Sequence, residues 1–266
     1  MYGLPMSRYS ISEEKVVASL RYWAVILLTV TLGLGSSLNA EARPDGKFPK
    51  PLRAQIDQSL GTHWYGVYVF GNKAGYAKMA LSADDQGYVA EENVTLKIQA
   101  MGKTQKINMS ALRRYDGATG ALREVRSAFI QNDQEVRAQF VVEGLTGTLT
   151  QWVSGQKTVS STALPRENIF DSIALYSKQR NGEVNNKVET YVFEALPPIS
   201  KEIVMEHKLI RTETRMVDGV PLKLAVIKTT VPEQGINTRT LMRDDGVVLE
   251  TEMMGMMKLR LEPKLE

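Results

Sequence analysis

The stretch Val94-Thr95-Leu96-Lys97-Ile98-Gln99-Ala100, with Met101-Gly102-Lys103 behind it and Ile107-Asn108-Met109-Ser110-Ala111 beyond, decides the fold class. Val94, Leu96, Ile98 and Ala100 fall on one side of an extended chain, and Thr95, Lys97 and Gln99 on the other. After Gly102-Lys103 turns the chain, Ile107, Met109 and Ala111 alternate with Lys106, Asn108 and Ser110. Side chains of a strand point to opposite faces in turn, so this period of two marks strands with one buried face. Two such runs about a short turn form an antiparallel hairpin.

Outward from that hairpin the same alternation begins at Trp64 and recurs to the end of the chain. Between the extended runs stand Gly71-Asn72, Asp85-Gln86-Gly87, Asp116-Gly117, Glu143-Gly144, Asp218-Gly219 and Asp244-Asp245-Gly246. Gly, Asn and Asp tolerate the positive φ that tight turns need. The spacing predicts roughly a dozen strands. One segment breaks the pattern: residues 167–180 place Ile169, Ile173 and Tyr176 at helical spacing and stop at Asn181-Gly182. A shorter helix is expected at Ala54 to Leu60, where Ile56 and Leu60 share a face. The expected fold is mainly β: a single strongly curved antiparallel sheet, a half-open barrel, packed on one or two short helices.

Residues 23–34, Trp-Ala-Val-Ile-Leu-Leu-Thr-Val-Thr-Leu-Gly-Leu, are apolar and uncharged, follow Arg8, Lys15 and Arg21, and precede Ala40-Glu41-Ala42. That is the pattern of a secretory signal peptide over residues 1–42. The run falls short of the ~20 apolar residues that span a bilayer, so membrane contact is expected only through this segment. A proline-rich lead-in follows at 43–52, and a single β-rich domain at 53–266. The expected location is periplasmic or secreted.

Composition excludes several chemistries. Thirty-three Lys and Arg against 30 Asp and Glu leave +3, too little for the dense basic surface that neutralises nucleic-acid phosphates. Zero cysteines exclude disulfides and thiolate nucleophiles. His63 and His207 alone cannot make a multi-histidine metal site, and no motif for a serine nucleophile or a phosphate loop occurs. No catalytic, cofactor or metal residue is therefore assigned, and no cofactor is expected. Both histidines read as partly exposed sheet residues. Met253-Met254-Gly255-Met256-Met257 has thioethers of the kind that bind Cu(I), but as a strand it sends Met253 and Met257 to one face and Met254 and Met256 to the other. Core filling is the preferred reading. Asp84-Asp85 and Asp244-Asp245 read as turn residues, and Arg113, Arg114, Arg123, Arg126 and Arg137 as a solvated basic strip. Trp64, Tyr68, Ile169, Ile173 and Tyr176 are the candidates to line a ligand cavity.

Two stretches carry a resemblance. Trp64-Tyr65-Gly66-Val67-Tyr68-Val69-Phe70-Gly71-Asn72-Lys73-Ala74-Gly75-Tyr76 resembles the opening of the exported domain that precedes a transglutaminase-like domain in many bacterial proteins. Arg243-Asp244-Asp245-Gly246-Val247-Val248-Leu249-Glu250, with Gly255 and the strand from Lys258 to Pro263, is similar to its last hairpin. In that family catalysis belongs to a downstream Cys-His-Asp triad, and no cysteine stands in this chain. The resemblance implies a free-standing companion domain, similar in fold to the half-barrels of lipoprotein carriers, with no catalytic residue to carry over.

The expected function is thus a non-enzymatic binding or interaction module of the cell envelope, and the alternative is a carrier of a lipid or other apolar ligand in the concavity of the sheet. The expected partner is an envelope protein, a lipid or a cell-wall polymer, and not nucleic acid. N-terminal sequencing of the protein from its host should begin at Arg43 or Glu41. Recovery of Met1 or Met6 on a membrane-embedded form would contradict the assignment.

Overall fold

A computed structural model of the chain describes residues 56–57, 60–100, 103–171, 187–217, 219–243 and 246–263. The expected signal peptide and lead-in, Ile173, Tyr176, Asp244 and Asp245 lie outside the described residues. The strands in chain order are β1 (Gly61–Val69), β2 (Asn72–Ala83), β3 (Gly87–Ala100), β4 (Lys103–Asp116), β5 (Leu122–Gln131), β6 (Gln134–Glu143) and β7 (Thr146–Val153). They continue with β8 (Gln156–Thr162), β9 (Lys187–Glu194), β10 (Lys201–Val217), β11 (Val220–Val231), β12 (Ile236–Met242), β13 (Val248–Met253) and β14 (Met257–Glu262). The hairpin read from residues 94–111 is β3–β4, with Val94 opposite Met109 and Leu96 opposite Ile107.

All fourteen strands belong to one sheet, in the order β8-β7-β6-β5-β4-β3-β2-β1-β14-β13-β12-β11-β10-β9. Two meanders, β1 to β8 and β9 to β14, are fused where β1 pairs antiparallel with β14, from Trp64↔Glu262 to Val69↔Met257. The edges are β8 and β9, neighbours in sequence at opposite ends of the sheet, and among the described residues no ladder joins them. The sheet is therefore curved and not closed. Among the described residues helix is almost absent: the segment expected to be helical over 167–180 shows helical residues at 169–171, and 172–180 lie outside the described residues.

Three hairpins turn on two residues that both have positive φ: Phe70-Gly71, Asn132-Asp133 and Ser154-Gly155. That geometry matches the twist of the flanking strands. Phe70 is an unusual residue for it, and its N–H donates to the Met256 carbonyl at 2.7 Å, tying this turn to the β13–β14 turn. The methionine group is that second turn and not a continuous strand. Met253 and Met257 pair across it and are buried, whereas Met254, at φ 48°, is 49% exposed.

The interior is filled by the inward residues of both meanders, among them Tyr65, Val67, Ile107, Phe140, Ile203 and Met205. The sheet rolls far enough that edge strand β9 is covered on both sides. Val192 lies opposite Ile203 of β10, while Phe193, on the other face of β9, meets Phe140 of β6 with ring centroids 4.5 Å apart. Gly147 makes room for this contact, since a Cβ there would lie 2.1 Å from the Phe140 ring. Gln151 of β7 also reaches across, donating to the Ala195 carbonyl at 2.7 Å.

His207 departs from the sequence reading. It is fully buried in β10, with Nε2 3.0 Å from the Thr190 hydroxyl and Nδ1 2.8 Å from that of Thr229. Burial pushes its pKa down to about 3, so the ring is neutral. Its place in the alternation, two residues from Met205 and from Leu209, is on the buried face; its residue type hides this, because threonines on the neighbouring strands satisfy the ring inside the core.

Truncating Phe140 to alanine removes the ring that joins the two meanders. Urea unfolding of this variant should show a loss of about 3–5 kcal/mol, the range for a large aromatic taken from a packed core.

Candidate functional site

On the face of β1 opposite Tyr65 and Val67 stand Trp64, Gly66 and Tyr68. Across the strands, Trp64 lies between Lys78 of β2 and Glu262 of β14, and Gly66 between Tyr76 and Arg260. The Trp64 and Tyr76 rings are 5.9 Å apart. Gly66 leaves room for its neighbour: a Cβ there would sit 2.2 Å from a carboxylate oxygen of Glu262, as that side chain now lies. That carboxylate lies across the glycine and accepts from the Tyr68 hydroxyl at 2.7 Å and from Lys73 Nζ at 2.6 Å. The Lys73 hydrogen bond holds the Glu262 carboxyl below the usual range. The two stretches that carry the family resemblance are thus side by side in the sheet, with Lys73 of one bound to Glu262 of the other.

The same face opens into a groove of about 1170 Å³. Its apolar floor includes Leu224, 1% exposed, and Leu241, and Trp64 and Met216 stand in its walls. A bulge in β10 builds the far wall. Leu209 faces Ile227 toward the interior, but the register shift before Arg211 puts Arg211, Glu213 and Arg215 opposite Val226, Leu224 and Leu222, on the outer face. Two of the groove's cations are occupied, Arg215 by Glu213 at 2.6 Å and Arg260 by Glu250 at 3.3 Å. Lys78 is half-buried in the groove wall and makes no ion pair among the described residues.

A second polar cluster is sealed in the interior. Arg113 of β4 is fully buried, and its Nη1 donates to Glu167 Oε2 and to the Phe193 carbonyl, both at 3.0 Å. Glu167 also accepts from the Tyr115 hydroxyl at 2.6 Å and from the Phe193 N–H at 2.6 Å. The unpaired edge of β9 is thereby completed at Phe193 by one guanidinium and one carboxylate. Nearby Glu194 is 0% exposed and accepts from the Leu196 N–H at 2.7 Å. Burial pushes its carboxyl up to about 7, against the pull of Arg113.

The structure divides the residues expected to line one cavity. Trp64 lines the outer groove, Tyr68 lies on that same face, and Ile169 is buried in the interior core. Ile173 and Tyr176 lie outside the described residues. The basic strip also divides. Arg123, Arg126 and Arg137 are exposed and Arg114 is half-buried, paired with Asp116, Glu124, Glu135 and Asp84 respectively, whereas Arg113 is in the core. The alternation of Ile107, Met109 and Ala111, carried two strand steps further, places Arg113 and Tyr115 on the buried face, which is the signal that would have found them. Asp84 does serve its turn, accepting from the Gln86 and Gly87 N–H groups at 3.0 Å. Among the described residues no group of three His, Asp or Glu could hold a metal ion.

No protein-family model and no curated protein matches the chain. Among solved structures it is similar to the crystal structure of a beta-barrel-like protein of domain of unknown function DUF1849 from Brucella abortus. The TM-score is 0.57 at 10% identity, with 76% of this chain and 94% of that chain covered. The likeness is one of fold.

Glu194 makes stability depend on pH. In the unfolded chain a glutamate ionises near ~4.3, so as pH rises from there to about 7 the unfolded state loses its proton first and the native state loses stability. Glu194→Gln stays uncharged and escapes that loss. Relative to wild type it should gain up to about 3 kcal/mol between pH 4 and pH 7 in urea unfolding, at ~1.4 kcal/mol per unit. His207 acts in the opposite direction below its ordinary pKa, but it is present in both proteins and cancels from the difference.

Proposed function

We propose that this chain is an exported, non-enzymatic binding module of the bacterial cell envelope, and that it takes its ligand or partner on the outer groove crossed by β1 and β14. The observation that carries the reading is the contrast between the two faces of the sheet. The inner side is occupied where Phe140 meets Phe193, while the outer side carries an open groove of about 1170 Å³ with Trp64 and Met216 in its walls. Met216 is 67% exposed, an apolar side chain available to a partner.

Export rests on the signal-peptide pattern of residues 1–42. The non-enzymatic reading is supported by where the perturbed ionisable groups lie. Glu194, His207 and Arg113 are buried and bonded to backbone or neighbouring side chains, away from the groove. A companion-domain role, of the kind found in bacterial transglutaminase-like proteins, is supported by the pairing of residues 64–69 with residues 257–262 in the sheet. The interior packing weighs against a carrier that holds an apolar ligand in the concavity.

Native mass spectrometry of the protein purified gently from its host tests the proposal. A retained molecule or partner is expected, and the exposed substitution Met216→Asp should release it. A bare chain, or a ligand unaffected by Met216→Asp, would overturn the groove as the binding surface.

A further inference from the structure

We infer that the groove binds an amphiphile with one anionic head and an acyl chain, the head seated at Lys78. The inference rests on the reading of the groove as a binding surface and names its ligand class. Lys78 lies directly opposite Trp64 in the β1–β2 pair, and Trp64 separates it from Glu262. Glu262 is already engaged by Lys73 and Tyr68, so it does not compensate the Lys78 charge. The arginines of the groove are each paired, Arg215 with Glu213, which also takes Arg211 and Arg239, and Arg260 with Glu250, which also takes Lys258. Among the described residues of the groove, Lys78 is the half-buried cation without a carboxylate partner, and an unpaired positive charge in a cleft favours an incoming anion.

Asn93 lies opposite Lys78 on β3, and on the other side the groove carries apolar side chains among its paired charges. Trp64, Leu241, Leu224, Met216 and Val217 line the groove from the Lys78 side to its far wall on β10. A small inorganic anion would leave this surface wet, and a neutral hydrocarbon would leave the ammonium unpaired. A molecule with a single negative head and a hydrocarbon tail satisfies both. The two ends of the site come from different parts of the chain, Lys78 from β2 and the far wall from the bulged end of β10.

The test is calorimetric titration of the chain as isolated from its host and stripped of bound amphiphile. Laurate and lysophosphatidylglycerol supply carboxylate and phosphate heads, dodecyltrimethylammonium reverses the charge, and acetate lacks the tail. Saturable binding of at least one anionic amphiphile is expected, with the cationic amphiphile at least tenfold weaker and acetate unbound. Lys78→Gln should weaken the anionic amphiphile at least tenfold, Lys78→Arg should restore it, and Lys106→Gln, an exposed change on β4, should leave it within twofold. Equal affinity for both head charges, or unchanged affinity in Lys78→Gln with an unaltered melting curve, would overturn the inference. A chain that retains a Met216-dependent partner in native spectra yet binds none of these probes would overturn the ligand class alone. A chain that is bare in those spectra overturns the groove reading beneath it.

Discussion

The ion pair of Arg113 and Glu167 is the contact on which the rolled sheet depends. An open sheet has two edges, and an edge strand that is tucked into a core carries backbone N–H and C=O groups that must be satisfied there. Here β9 is that strand. Its Phe193 N–H is taken by Glu167 and its Phe193 carbonyl by Arg113, so a pair of side chains stands where a neighbouring strand would be. A buried ion pair is not by itself a strong source of stability, because desolvation offsets much of the attraction. Its effect here is specific: it lets one edge of a fourteen-stranded sheet be covered without closing a barrel. Arg166 holds the adjoining segment over the same strand, its guanidinium stacked 3.7 Å from the ring of Tyr191 on β9 and paired with Glu202 of β10.

Tucking β9 inside determines where a ligand surface can lie. Once Phe193 occupies the space over Phe140, the concave side is committed to packing. The outer face around the β1–β14 seam stays accessible, and the bulge of β10 raises a wall beside it. One bulge thus turns a strand whose first part supplies Ile203, Met205 and Leu209 to the interior into one whose last part presents Arg211, Glu213 and Arg215 outward. The groove is a consequence of that reversal together with the pairing of β1 with β14.

The fold class is legible in the sequence because strand alternation is a local property. The runs at Val94 to Ala100 and Ile107 to Ala111 appear in the structure as a hairpin in register, and the turn at Asp84 to Gly87 has the bonding that its composition implies. Faces are less legible. Residue type groups Arg113 with the exposed arginines, although its position in the alternation belongs with Met109 and Ala111. His207 is buried because Thr190 and Thr229 meet its two ring nitrogens, a pairing between strands that no local pattern displays. Residues 253–257 read as part of a strand in the sequence, yet Met254 at φ 48° and Gly255 at φ 69° make them a turn.

By itself the sequence determined the strand character, several of the turn positions, the absence of thiol chemistry and a signal-peptide pattern at the start, all of which are set by composition or by neighbours a few residues apart. Tertiary structure decided which edge is buried, which carboxyls and cations meet, and which face carries an open groove. Those follow from contacts such as Tyr68 with Glu262 and Arg113 with Glu167, whose partners are 194 and 54 residues apart in the chain. Strand order and roll bring them together, and a period of two records which face a residue takes without recording what that face will meet.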